Sequence, residues 1–301
     1  MKILLSFLFL MGCASHGPSS AKPTDAEISL VKGESRVGTY VSSWHGFRTS
    51  SYWIEGPTGL ILIDTQFLTS AAVEMVDWAE KVTGKKAVLA IVLHPNPDKF
   101  NGTAVFQKRG IKVVTSAQVL AAIPEVHELR KTWFFERFKP DYPAEQPKPE
   151  SFGDKSTIIE AAGLKLTAHV MGAGCSDAHV VIEWERNVFV GDLATIGFHS
   201  WLELGMLEEW LKRLDEIKAL DPKYVRTGRG GTGDSDTLDR EETYLKRVIE
   251  VVGLYKPKKG VRPSEEVQDR IVERLVKDYP SYEYPLFIAN GVSEAWEHLA
   301  K

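Results

Sequence analysis

Thiols are scarce in this chain: 301 residues include two cysteines, Cys13 and Cys175. Beyond residue 13 no second thiol exists to pair with Cys175, which excludes a disulfide scaffold for the body of the protein. The lone thiol is therefore buried, reactive or metal-bound. Long apolar runs are missing too. The stretch Ile3–Met11 is far too short to cross a bilayer as a mature helix. Neither sign of charge dominates, with 37 Lys+Arg against 41 Asp+Glu and a formal net charge of −4. No basic patch stands out, so nucleic acid is not an expected partner. Ser43, Ser50 and Ser51 sit in no Gly-x-Ser-x-Gly context, leaving serine hydrolase chemistry without support. Gly228, Gly230, Gly231 and Gly233 lack the strand, loop, helix and lysine of a phosphate-cradling loop. There is no internal repeat and no low-complexity segment.

Apolar residues make up 43% of the chain and there are eight tryptophans, ample for one large core. At the start, Lys2 and the apolar stretch lead into Leu10-Met11-Gly12-Cys13, which resembles a bacterial lipobox. The resemblance implies that residues 1–12 are a signal peptide and that Cys13 is lipidated; the alternative is an ordinary signal peptide with a chance cysteine. Each buried lipid CH₂ contributes about 0.8 kcal/mol, so an acylated Cys13 anchors the chain through membrane lipid. Ala14, where Asp would mark retention, implies by resemblance to enteric sorting rules an outer-membrane anchor facing the periplasm. Residues 13–35 are polar with Pro, Gly and Ser and read as a flexible tether. Residues 36–301 then form one domain.

Within that domain, short strands alternate with helices. TYVSSWHG, SSYWIE and GLILIDT read as strands, the last two joined by a hairpin at Gly56-Pro57 and Gly59. Helical spacing appears at 69–83, 98–109, 117–138, 206–220, 238–255 and 264–278. AVLAIVLH is a continuous apolar run, as in a buried strand. KPDYPAEQPKPES carries four prolines and reads as a loop or strap. The alternation indicates an α/β layered architecture.

Five landmarks then fall in order: GLILIDT at 59–65, LHPNPDKFNG at 93–102, GAGCSDAH at 172–179, FVGD at 189–192 and VRTGRGG at 225–231. Together they resemble the metallo-β-lactamase superfamily over roughly residues 36–255. The resemblance implies a four-layer αββα sandwich in which loops from several strand ends meet along one edge. It also implies a metal-ligand set, from which this sequence departs at four of seven positions. His94, Asp98 and Asp192 match; Asn96, Lys99, Cys175 and Arg229 stand where histidines belong.

Sorted by ion, the resemblance places His94, Asn96, Cys175 and Asp192 around a first metal. Imidazole, thiolate and carboxylate are competent zinc ligands, whereas Asn96 offers only a weak carbonyl oxygen. A second metal would meet Asp98, Lys99, Asp192 and Arg229. Two cations there oppose a dication, and arginine does not deprotonate in proteins. Lys99 and Arg229 are thus expected to replace the second ion and to pair with the two carboxylates.

Other residues admit plainer readings. Cys175 reads as a small buried hydrophobe or a ligand, and as a reactive thiol only with His179 as its base. His179 matches a position that does not bind metal in the family and reads as structural. Asp64 is expected to support the loops by hydrogen bonding. His45 and His199 have no informative spacing. Trp133, Phe134, Phe135 and Phe138 form a wall over the cleft or ordinary helix packing.

The expected function is a membrane-anchored pseudoenzyme that keeps the cleft for a small ligand or an envelope protein, without a required cofactor. The rival is a mononuclear hydrolase of a small ester, thioester or lactam-like substrate. It would hold one zinc on His94, Cys175 and Asp192, with Asp98, Lys99 and Arg229 as catalytic candidates.

Overall fold

A computed structural model describes residues 26–31 and 34–300. The signal segment, Cys13 and the tether up to residue 25 lie outside the described residues. The first sheet contains β1 (Glu27–Val31), β2 (Glu34–Val41), β3 (Ser50–Gly56), β4 (Gly59–Ile63), β5 (Ala87–Ile91), β6 (Lys112–Thr115) and β7 (Glu150–Ser151), in that spatial order. Its first four strands pair antiparallel and the rest parallel. The second sheet contains β8 (Thr157–Ala161), β9 (Leu164–Met171), β10 (His179–Trp184), β11 (Asn187–Thr195), β12 (Tyr224–Arg229) and β13 (Thr232–Gly233). There β11 and β12 run parallel and every other pair is antiparallel.

The helices are α1 (Thr69–Thr83), α2 (Pro97–Phe100), α3 (Thr103–Lys108), α4 (Ala117–Phe138), α5 (Leu207–Lys218), α6 (Asp236–Gly253), α7 (Glu265–Asp278), α8 (Leu286–Ala289) and α9 (Val292–Leu299). Strand alternation assigns them to layers. In β10, Val180, Ile182 and Trp184 join the core shared with the first sheet, α1, α3 and α4, whereas Val181 joins the opposite one. That second core unites Val188 and Val190 of β11 with Trp210 and Leu214 of α5, Leu245 and Val248 of α6, Ile271 of α7 and Trp296 of α9. The αββα sandwich is therefore the fold, each sheet presenting side chains to both of its faces. Among the described residues no helix is long and apolar enough to cross a membrane.

Three local readings differ from the structure. Residues 27–31, assigned to the tether, form β1, paired along β2. The helix expected over 98–109 is two short ones, divided at Asn101 and Gly102, where Asn101 Nδ2 donates to the Phe67 carbonyl (2.9 Å). The strand expected over 39–46 ends at Val41, and Trp44–Gly46 form a 3₁₀ turn.

The proline-rich strap is anchored on α1, with the Thr69 N–H donating to the Asp141 carbonyl (3.0 Å) and the Ser70 N–H to Asp141 Oδ1 (2.7 Å). A carboxylate there satisfies orphan N–H groups and the positive end of the helix dipole.

Candidate functional site

Strand ends bring the landmarks together. After β4 the chain turns through Asp64 and Gln66, both in the left-handed region at φ 63° and 75°. Such non-glycine conformations are costly and persist where neighbours fix them. Here the Asp64 N–H donates to the Ile91 carbonyl and Asp64 Oδ1 accepts from the Leu93 N–H, both at 2.9 Å. These bonds tie the β4 loop to the segment carrying His94, the supporting role expected of Asp64. Burial pushes its carboxyl up to about 8, against the pull of Lys99.

Asp192 lies in β11 just after a break in register with β12, at Gly191. Gly191 takes φ +56°, open to glycine at no steric cost, and this break aims the following carboxylate toward the site. Opposite it, a β-carbon on Gly228 would fall 1.8 Å from Asp192 Oδ1, so only glycine leaves the carboxylate its place.

Four charges fill the centre. Lys99 Nζ lies 2.9 Å from Asp98 Oδ2 and 2.8 Å from Asp192 Oδ1, both charge contacts rather than aligned hydrogen bonds. Arg229 NH2 meets Asp98 Oδ2 at 2.8 Å, and NH1 donates to Asp192 Oδ2. Its Nε donates to the Phe47 carbonyl (3.2 Å), and Thr49 Oγ1 donates to Asp98 Oδ2 (3.1 Å). All four are buried. Burial alone would neutralise the carboxylates, but Arg229 and Lys99 hold Asp192 well below the usual range, and Lys99 and Arg229 do the same for Asp98. Burial likewise opposes the cations, yet the two carboxylates hold Lys99 and Arg229 more firmly protonated than usual.

Beside this cluster, His94, Cys175 and His179 each offer a donor atom, and the three lie within 4.8 Å of one another. His94 Nδ1 pairs with Ser176 Oγ at 2.9 Å, while its buried Nε2 has no hydrogen-bond partner and lies 3.7 Å from Asp192 Oδ2. Cys175 Sγ is 3.8 Å from His179 Nε2, which accepts from the Ser176 N–H at 3.2 Å. Burial, then Lys99, lowers His94 to about 4 despite Asp192, so its imidazole is neutral. Burial also pushes His179 down and the Cys175 thiol well up, which excludes a resting thiolate nucleophile.

The adjoining cleft has a volume of about 40 Å³ and is lined by Asn96, Asp98, Asp192 and Arg229 on its polar side. Phe47, Phe67, Pro97, Phe134, Trp201, Phe287 and Arg130 complete it. Phe134 thus belongs to the wall expected from α4, Phe135 and Phe138 pack against the core, and Trp133 is exposed. None of His94, Cys175 and His179 lines the cleft.

Residues 45–229 match the model of the Metallo-beta-lactamase superfamily. The chain belongs to that superfamily. Solved structures with the same fold include a metallo-beta-lactamase from Pontibacter korlensis at 19% identity and TM-score 0.59, covering 73% of this chain and 99% of that one. FIM-1 from Pseudomonas aeruginosa in its mono-zinc form aligns at 16% identity and TM-score 0.58, covering 75% and 98%. A metallo-beta-lactamase from Hirschia baltica aligns at 17% identity and TM-score 0.55, covering 72% and 97%. At these identities the likeness shows the fold alone. No curated protein matches the chain.

Tested against the zinc chemistry of metallo-beta-lactamases, the two halves of the site differ. The half built from Asp98, Lys99, Asp192 and Arg229 does not fit a cation, because two paired cations already occupy it. The half built from His94 and Cys175 fits a borderline-soft ion, and the orphaned His94 Nε2 is a ligand atom without another use. His179, read from the sequence as structural, is the third member of that group, in place of the expected Asp192. Asn96 lines the cleft. The four-residue spacing of Cys175 and His179 across the turn into β10 was the available signal. His45 joins neither group; His199 is buried elsewhere, against Tyr244.

Proposed function

We propose that this metallo-β-lactamase-like domain is non-hydrolytic and uses its cleft to bind a small ligand or an envelope partner. The observation that carries this reading is the pairing of Lys99 and Arg229 with both carboxylates that a second ion would need. A dinuclear centre activates water between two cations, and here two side-chain cations stand in one ion's place. The cleft supports this reading by its lining: aromatic walls from Phe47, Phe67 and Phe134, and polar groups converging from Asn96, Asp98 and Arg229.

A second reading, a mononuclear hydrolase of a small ester, thioester or lactam-like substrate, draws support from the donor group at His94, Cys175 and His179. Bound zinc would supply an activated water, but catalysis needs a coordination position facing the substrate. Against it stands the burial of all three donors away from the cleft surface. An assay of a chromogenic cephalosporin, a thioester and a lactone in zinc excess separates the two. The binding reading expects no chelator-sensitive turnover above background; zinc-dependent turnover of any of the three contradicts it.

We also propose that the domain is held at the bacterial outer membrane, facing the periplasm, by lipid on Cys13. Cys13→Ala is then expected to lose the acyl mass and leave the membrane fraction. A variant that stays membrane-bound with unchanged mass rejects the anchor.

A further inference from the structure

We infer that His94, Cys175 and His179 form a buried, single-ion zinc site in which His179 replaces the ligand lost at Asn96, and whose role is structural. Three observations support it. First, the donor set is chemically matched: two neutral imidazoles and one thiol suit zinc, whereas the Asn96 carboxamide is a weak donor. Second, the ring nitrogens are placed for an ion. Ser176 Oγ lies 2.9 Å from His94 Nδ1 and can accept its proton, and the buried Nε2, which has no hydrogen-bond partner, is then the ligand atom. His179 Nε2 faces Cys175 Sγ at 3.8 Å and accepts from the Ser176 N–H at 3.2 Å, and an ion would take over the lone pair from that long backbone bond.

Third, the spacing is close to what an ion requires. Ligand atoms of a tetrahedral zinc with nitrogen and sulfur donors stand roughly 3.5 Å apart. Cys175 Sγ and His179 Nε2 are already 3.8 Å apart, and the whole group falls within 4.8 Å. Closing it takes side-chain movements of about an ångström.

Nearby charge does not oppose the ion, since Asp98 and Asp192 balance Lys99 and Arg229. Binding converts the Cys175 thiol to a thiolate bonded to zinc and releases its proton to solvent. With no member of the group lining the cleft, the ion joins the start of β10 to the loop after β5 and takes no part in the cleft's chemistry. This assignment goes beyond the ligand-binding reading, and each can fail without the other.

The test is zinc affinity of the purified protein, read by competition with a chromophoric chelator and independent of any activity. One zinc per chain is expected, weakened at least about 100-fold in His179→Ala and within about threefold of wild type in Asn96→Ala. Cobalt substituted into wild type is expected to show a thiolate-to-cobalt charge-transfer band that Cys175→Ser abolishes. This spectrum decides the matter even where His179→Ala does not fold. Failure of wild type to compete for zinc, equal losses in the two alanine variants, or cobalt binding without the band overturns the assignment.

Discussion

Lys99 is fully buried and holds two carboxylates in their charged forms. Removing one partner of a buried ion cluster leaves an uncompensated charge, at a cost of about 3–5 kcal/mol. Lys99→Ala is therefore expected to lower unfolding free energy by about that much in urea titrations; a loss under about 1 kcal/mol would show that the cluster relaxes without it. His199 tests the site's surroundings. Burial lowers its pKa from 6.5 to about 4, with Nδ1 on the Tyr244 hydroxyl (3.0 Å) and Nε2 unpartnered. Below pH 6.5 the unfolded chain takes up a proton that the folded chain refuses until about 4, so this contribution to stability falls as pH falls through that window. Glu241, raised by burial to about 7, acts in the opposite sense between 4.5 and 7. His199→Asn is expected to make the slope of stability against pH more negative across 4–6.5 by up to one proton, about 1.4 kcal/mol per pH unit. An unchanged slope in urea unfolding across that range contradicts the assignment. At this scale the sequence revealed which charges were foreign to the ligand set, since Lys99 and Arg229 are conspicuous among expected histidines. It left the role of His179 open, because its four-residue spacing from Cys175 brings the two together without saying which of them an ion would meet.

Helix α4 carries an internal Pro124, which removes a backbone donor, and leans on its start: Ser116 Oγ accepts from the Val119 N–H at 3.2 Å. Ser116→Ala is expected to cost about 1 kcal/mol in urea unfolding, and no change would show the helix held by packing alone. Elements of this kind were the most legible. The apolar spacing behind α1 and α4 reproduced their bounds, 69–83 and 117–138. Boundaries failed where tertiary contacts overrode local pattern. β1 exists because segment 27–31 finds backbone partners along β2, and the 98–109 helix divides at Asn101 and Gly102, where Asn101 donates to the Phe67 carbonyl. The strap's four prolines excluded a helix, but nothing in them announced that Asp141 would cap α1.

Across the whole molecule, the two-core sandwich gathers loops from β4, β5, β9, β11 and β12 at one edge, so that residues from Asp64 to Arg229 share one site. That convergence followed from the order of the five landmarks. Its chemistry did not, because a superfamily scaffold carries many functions and the decisive facts are contacts. Each carboxylate makes two ion pairs, and the cluster joins Asp98 and Lys99 to Asp192 and Arg229, with Asp98 lying 131 residues from Arg229. The claim that these side chains have taken the place of the second ion is tested most directly by zinc stoichiometry. The protein is loaded with excess zinc, passed through gel filtration in chelator-free buffer and analysed for metal per chain. The ion-pair cluster predicts retention of no more than one zinc. Two zinc ions retained per chain would mean that Lys99 and Arg229 yield their place, and would contradict it.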